Sequence, residues 1–133
     1  MSMSDFFTAE KSEQGIKLPL FRPDGTKSDH WIKVRGVDSR EFRIAESIAK
    51  RNGMAIAQMG EEERAIALLD SRIDLIASLV IEWSFDEDCN RDSVVVFLKK
   101  APQVADAIDR IAGDRSLFFG IASSDSVDGS MQK

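Results

Sequence analysis

The chain has 133 residues, of which 43% are hydrophobic and 31% charged, and its formal net charge is −5. This length is typical of one domain with one core, and the composition is too apolar for general disorder. The acidic balance argues against nucleic-acid binding. A single cysteine, Cys89, excludes an intrachain disulfide. No apolar run reaches the roughly 20 residues of a membrane span, and residues 1–5 lack signal-peptide features, so we expect folding in the cytoplasm.

The charge is unevenly distributed along the chain. Residues 15–52 carry nine Lys/Arg against five Asp/Glu, whereas residues 61–133 carry eight against fifteen. A basic N-terminal part and an acidic helical part suggest complementary surfaces that meet within the fold or between copies. Two solvated faces of unlike composition are the open alternative.

The N-terminal third predicts a flexible arm followed by a β-hairpin or β-arm. Residues 1–14 are mostly polar and predict the arm. Residues 16–21 alternate apolar and other side chains, as a half-buried strand does, and Pro19 favours an edge position. Arg22-Pro-Asp-Gly25 is typical of a turn, and residues 31–35 predict the returning strand. The hairpin is therefore expected over residues 15–36.

Two helices are predicted next. Asp38 and Glu41 fit a capping box that begins the first helix, which should end at 52–53. Residues 54–60 are compatible with a short helix or a linker. A second, long helix is predicted from 61 to 83, and Leu68, Leu75 and Leu79 add a second stripe, which predicts a central helix covered on two sides. Its main apolar residues recur at spacings of three and four, as in packed helices: Ile66, Leu69, Ile73, Ile76, Val80 and Trp83.

The C-terminal part predicts two shorter helices and a tail. Residues 92–98 contain three β-branched residues that would suit a strand, but Asp92 as a cap and Lys99-Lys100 at the other end favour a helix. Pro102 suits the first turn of the last helix, and residues 121–133 predict a disordered tail. The predicted fold class is mainly α: a bundle of about four helices with an N-terminal hairpin, in one domain over 15–120. The stripe expected to bury the last helix is Val104, Ala105, Ile108 and Ile111.

The residues that usually carry chemistry are sparse. One histidine, His30, and one cysteine do not make a supported nucleophile–base couple or a zinc site. Asp86, Asp88 and Asn90 match the start of a calcium loop, but Phe97 stands where the loop needs a glutamate. Phosphate-binding and nucleophile-elbow motifs are absent from the sequence. We therefore predict no enzyme activity, no catalytic residue, no cofactor and no metal site.

Aromatic side chains in exposed sequence contexts indicate protein binding instead. The alternative for each is a place in the core. The candidate contacts with a partner or with another copy are Trp31, Phe42, Trp83, Phe118 and Phe119.

The succession of these features resembles that of tail assembly chaperones of long-tailed bacteriophages, of the HK97 and lambda type. The resemblance covers about residues 15–120. The matching segments are the hairpin (16–21 and 31–34), the helix start Val-Asp-Ser-Arg-Glu-Phe (37–42), Leu-Val-Ile-Glu-Trp-Ser-Phe (79–85), Phe-Leu-Lys-Lys-Ala-Pro (97–102) and Asp-Arg-Ser-Leu-Phe-Phe (114–119).

This resemblance implies a non-catalytic protein that binds the tape measure protein and keeps it soluble during tail assembly. It also implies rings or spirals of copies, a longer form made by ribosomal frameshifting, a place in the host cytoplasm and absence from the virion. One alternative is a virion structural or head–tail joining protein. Another is a small DNA-binding regulator that uses basic residues of 38–52, although Glu41 and Glu46 interrupt them: Arg40, Arg43, Lys50 and Arg51.

Overall fold

A three-stranded antiparallel sheet and six α-helices make up the fold, in a computed structural model that describes residues 2–119. The predicted mainly α bundle of about four helices is therefore wrong, because the structure is mixed α/β; the predicted N-terminal hairpin is confirmed in part. A 3-10 turn, Met3–Phe6, precedes the first helix. The elements are α1 (Ala9–Gln14), β1 (Ile16–Phe21), β2 (Lys27–Val34), α2 (Arg40–Ala57), α3 (Glu61–Ala77), β3 (Val80–Trp83), α4 (Arg91–Lys100), α5 (Pro102–Ala112) and α6 (Ser116–Phe119).

Strands β1 and β2 form the predicted hairpin. Ile16 lies opposite Val34 and Leu18 opposite Ile32, and all four side chains are buried on the inner face of the sheet. The turn carries Gly25 at a φ of 91°, a conformation that glycine adopts without strain. Strand β1 lies at the edge of the sheet, as Pro19 predicts. Proline has no backbone N–H to donate to a neighbouring strand, so it is tolerated mainly at sheet edges.

The predicted long helix is wrong beyond residue 77. Helix α3 ends at Ala77, and Val80–Trp83 forms β3, which pairs with β2 through Val34 and Val80. The Arg35 amide donates to the carbonyl of Leu79 at 2.7 Å and fixes the turn between the two elements. Without β3, the inner strand β2 would expose unpaired backbone groups. Residues 80–83 (Val-Ile-Glu-Trp) suit a strand, and this long-range pairing overrides the helical spacing.

The caps and ends of the other helices also differ from the prediction. Helix α2 is capped by Ser39, whose Oγ accepts the Phe42 amide at 3.4 Å, and not by Asp38. It continues past 52–53 to Ala57. Helix α4 is a helix, as favoured over a strand, but its cap is Asn90, which accepts the Ser93 amide at 2.9 Å.

Helix α5 follows the prediction closely. Pro102 is its first residue, the predicted stripe of four side chains is buried, and the helix contacts α3 and α4. Helix α6 places Phe118 in the core. The predicted tail, 121–133, lies outside the described residues.

A junction around Asp38 connects the two ends of the described chain. Residues 9–14, expected to belong to the N-terminal arm, form α1, and Ser12 is buried there. Its Oγ accepts the Asp38 amide at 3.2 Å, and its carbonyl accepts the Gly36 amide at 2.9 Å. A Cβ at Gly36 would collide with Ser12 Oγ, so the close approach needs glycine. From the other side, Arg115 donates to both carboxylate oxygens of Asp38, at 2.6 and 2.9 Å.

The Asp38 carboxylate makes stability dependent on pH. The hydrogen bonds from Arg115, and then from Thr8 and Arg43, hold the pKa of Asp38 well below its usual range, although burial opposes them. A lowered folded-state pKa gives stability that is present above the unfolded value of 3.8 and is lost as pH falls below it. We expect Asp38→Asn to lower the free energy of unfolding at pH 7 by about 1–2 kcal/mol and to flatten its pH dependence below pH ~4.

Urea unfolding between pH 3 and 7 measures both effects. Asp106→Asn is the matched control, because Asp106 pairs with Arg72 on the surface and is 66% exposed. A surface pair of this kind contributes less than about 1 kcal/mol. Equal losses in the two variants would contradict the role given to Asp38.

Candidate functional site

Helices α2 and α3 form a helical hairpin that touches the rest of the fold mainly through α3. The half-buried side chains of α2 recur every three or four residues and form a stripe along the helix. Half-buried side chains of α3 form a similar stripe, and the two helices contact each other. Phe42 is the only residue of α2 that is buried. The stripes consist mostly of small residues: Ala45, Ala49, Gly53 and Ile56 on α2, and Arg64, Ala67 and Ser71 on α3.

The main apolar stripe of α3 begins in the core and runs out into solvent. Ile76 is 2% exposed and Ile73 packs against the core, whereas Leu69 and Ile66 are 65% and 57% exposed. All four lie on one helical face, at spacings of three, four and three residues. The sequence predicts that α3 is covered along its length, and this is wrong for its N-terminal half. We call Ile66 and Leu69 the open stripe.

The C-terminal half of α3 is held by α4 and α5. Asp74 pairs with Arg91 and Asp70 with Lys99 of α4, at 3.7 and 3.3 Å. On the opposite side, Arg72 pairs with α5 through Asp106, at 3.1 Å. These exposed ion pairs flank the packed end of the helix, while its core-facing stripe continues past its neighbours. The open stripe therefore extends a helix whose other end is packed in the core.

Further apolar side chains emerge around the hairpin. Leu68 is exposed on α3, and Met54 and Met59 are exposed near the connection between the helices. Methionine side chains are flexible and polarizable, and they adapt to differently shaped partners. The distal half of the hairpin is thus rich in apolar surface that the described residues do not cover.

A cleft of about 360 Å³ lies between α2 and the end of the sheet. Ile44 and Ile48 contribute exposed apolar side chains to it. At its base the guanidinium of Arg35 donates to the Ser78 carbonyl at 2.6 Å and lies 3.7 Å from the Glu41 carboxylate. These contacts connect the end of β2 to the first turn of α2 and orient the hairpin.

A second apolar surface lies at the other side of α4. Trp83, Phe85 and Phe97 pack in a triangle with ring centroids 5.3–5.7 Å apart, and we call them the aromatic cluster. Trp83 Nε1 donates to the Glu87 carbonyl at 2.7 Å, which fixes the indole. The cluster borders a groove of about 680 Å³. Its lining residues are Trp83, Phe85, Glu87, Asn90, Asp92, Ser93, Val96 and Phe97.

The five aromatic residues predicted as contacts do not form one surface. Phe42 and Phe118 are buried in the core. Trp31 is half-buried on the outer face of the sheet beneath Lys17, whose Nζ lies 4.4 Å from the ring, and Phe119 is exposed on α6. Only Trp83 joins a cluster, with Phe85 and Phe97.

Sequence reasoning did not single out Phe85, Phe97 or the exposure of the open stripe. The spacing of Trp83 and Phe85, two residues apart in a strand-like segment, is the available signal for the cluster, since such side chains leave a strand on the same face. The partnership with Phe97 requires the tertiary fold.

The thiol of Cys89 lies beside the cleft at α2. Burial and the carboxylate of Glu82 raise the pKa of the Cys89 thiol, which disfavours the reactive thiolate. Within residues 2–119, no three or more His, Cys, Asp or Glu side chains cluster as a metal site would require, and no helix is long and apolar enough to cross a membrane. Comparisons with protein-family models, curated proteins and solved structures return no match.

The two halves of the α3 stripe should respond differently to truncation. We expect Ile76→Ala to lower the free energy of unfolding by about 2–5 kcal/mol, because it leaves a cavity in the core. Leu69→Ala, on the same face of the same helix, should change it by less than about 0.5 kcal/mol. Denaturant unfolding of both variants is the measurement, and a loss of several kcal/mol for Leu69→Ala would show that Leu69 is covered.

Proposed function

We propose that this chain is a phage tail assembly chaperone that binds the tape measure protein and keeps it soluble during tail morphogenesis, without catalysis. The observation that carries the proposal is the open stripe, an apolar helical face that leaves the core and has no cover among the described residues. The sequence resemblance described above supports the same function. A binding role suits a fold whose uncovered groups are apolar side chains.

The open stripe has the spacing that pairs one amphipathic helix with another. Ile66, Leu69 and the half-buried Ile73 repeat at three and four residues, as do the contact positions of packed helices. A largely helical client offers complementary stripes that would otherwise aggregate. Full burial of two aliphatic side chains contributes only about 1.5–3 kcal/mol each. Each contact is therefore weak and reversible.

Many weak contacts suit a long client. Several copies of the chain on one tape measure protein would raise the overall affinity through effective concentration, without stronger individual contacts. Displacement by the growing tail tube would then release the copies one at a time.

Self-association into rings or spirals, through the basic hairpin part and the acidic helical part, would present the open stripes in a row. A longer frameshifted form would join such an assembly through the same domain.

The two alternative functions receive less support. A virion structural or head–tail joining protein would use similar apolar surfaces, but it would stay in the finished particle, where mass spectrometry detects it. A DNA-binding regulator needs free basic side chains on α2. Arg43 is instead held by Asp38 at 2.9 Å and lies 3.7 Å from Glu46. The other basic residues of the hypothesis, Arg40, Lys50 and Arg51, are exposed on a helix that also carries Glu41 and Glu46.

Co-expression with the tape measure protein of the same phage tests the proposal. We expect the chain to increase the soluble fraction of that protein several-fold, because the open stripe covers its apolar faces. The double variant Ile66→Arg/Leu69→Arg should lose this effect while folding normally, since both side chains are exposed.

Val96→Arg is the matched control, because it also places an arginine at an exposed apolar position. Val96 is 53% exposed, but it lies on α4 beside the aromatic cluster. It should keep the full effect on the client. A client that is no more soluble with the chain than without it would refute the chaperone function. Retention of the effect in the double variant would refute the assignment to the open stripe.

A further inference from the structure

We propose that the groove beside the aromatic cluster is a second docking site, which takes a segment of a partner protein with a Lys or Arg next to an aromatic or long aliphatic residue. The groove lies between β3 and α4, apart from the open stripe. The proposal does not depend on the chaperone function, because it rests on different side chains.

The aromatic cluster provides a rigid apolar floor. Trp83 meets Phe85 and Phe97 edge to face, at centroid separations of 5.3 and 5.7 Å, and the tilted pair of Phe85 and Phe97 is 5.3 Å apart, so no space for a ligand remains between the rings. A ligand must therefore lie on the outer faces of the rings. The hydrogen bond from Trp83 to the Glu87 carbonyl holds the indole in place before binding, which reduces the ordering cost.

One apolar residue at the edge of the floor is uncovered. Val96 is 53% exposed, although it lies beside Phe97 on a well-anchored helix. The groove volume of about 680 Å³ falls within the range of sites that enclose a compact ligand or a few side chains. An aromatic or long aliphatic side chain would cover Val96 and the adjoining ring faces.

The charge of the rim selects a cation. The ionisable side chains in the lining are Glu87 and Asp92, both acidic and exposed, and Asp86 and Asp88 lie in the same loop. The neighbouring Arg91 contributes to the cleft beneath α2 instead and lies 3.7 Å from Asp74. A Lys or Arg over the ring faces would gain both carboxylate attraction and a cation–π contact.

The apolar floor requires an apolar side chain and the acidic rim requires a cation, and neighbouring residues of one ligand must supply both. A lone cation would leave the apolar floor uncovered, and a purely apolar segment would leave the acidic rim without a partner. An acidic segment would be repelled. A basic residue next to an apolar anchor satisfies both, and a peptide segment supplies this pair at neighbouring positions.

Selection from a library of random dodecapeptides displayed on particles, with the immobilised full chain as bait, tests the proposal. We expect enrichment of peptides that place Lys or Arg within two positions of Trp, Phe, Leu or Met. A synthetic copy of an enriched peptide should bind Val96→Arg at least about tenfold more weakly than the parent chain, a loss of about 1.4 kcal/mol. Glu87→Gln should weaken binding and reduce its dependence on salt.

Asp86→Asn is the matched control, since it removes one charge from the same loop but does not line the groove. Its loss of affinity for the peptide should be less than half of the loss seen for Glu87→Gln. Thermal unfolding of each variant confirms that the fold is intact, and Val96→Arg should still solubilise the helical client.

Four results would overturn the proposal. The first three are no enrichment over the blank support, enriched peptides without basic residues, and equal binding to the parent chain and Val96→Arg. A fourth is a second copy in the groove. In that case, light scattering would show a larger particle for the parent chain than for Val96→Arg, and added peptide would not bind.

Discussion

The pairing of β3 with β2 is the constraint on which both proposed binding surfaces depend. β2 carries Ile32 and Val34, which are fully buried, and it needs a backbone partner on each side. Because residues 80–83 supply the second partner, α3 has to end at Ala77 and cannot extend its stripe into the sheet. The same pairing sets the start of the loop 84–90, which brings Phe85 against Trp83 and returns the chain to α4. One long-range pairing thereby positions the open stripe and the aromatic cluster.

The apolar repeat along α3 extends from the core into the solvent. Its C-terminal residues, Ile73 and Ile76, stabilise the fold, and its N-terminal residues, Ile66 and Leu69, continue the same spacing beyond the reach of α4 and α5. A partner helix that packs on the open stripe therefore extends a packing pattern that the core has already begun. The junction at Asp38 and the Arg35 contacts hold α2 beside α3, so the hairpin is oriented by polar contacts at its base.

Local signals predict the parts of this fold that local physics decides. The alternation in β1, the Pro-Asp-Gly turn and the stripe of α5 are readable because each is fixed by neighbours in sequence. The sequence predicts Asp38 and Asp92 as the caps of α2 and α4, one and two residues away from the observed caps. Such shifts occur because several Ser, Asp and Asn compete at each helix start. The end of α3 was missed because Val80 and Trp83 fit both helical spacing and a strand, and only β2 decides between them. For the candidate site, the stripe was predictable, but its exposure and the meeting of Trp83 with Phe97 depend on tertiary packing.

Hydrogen–deuterium exchange of the chain, alone and in a soluble complex with the proposed client, the tape measure protein, tests the central claim most directly. Amide exchange reports local opening, and a helix face covered by a partner opens less often. Binding at the open stripe predicts slower exchange over residues 62–73, with the hairpin β1–β2 unchanged. Unchanged exchange over 62–73, with protection confined to other elements of the described chain, would contradict it.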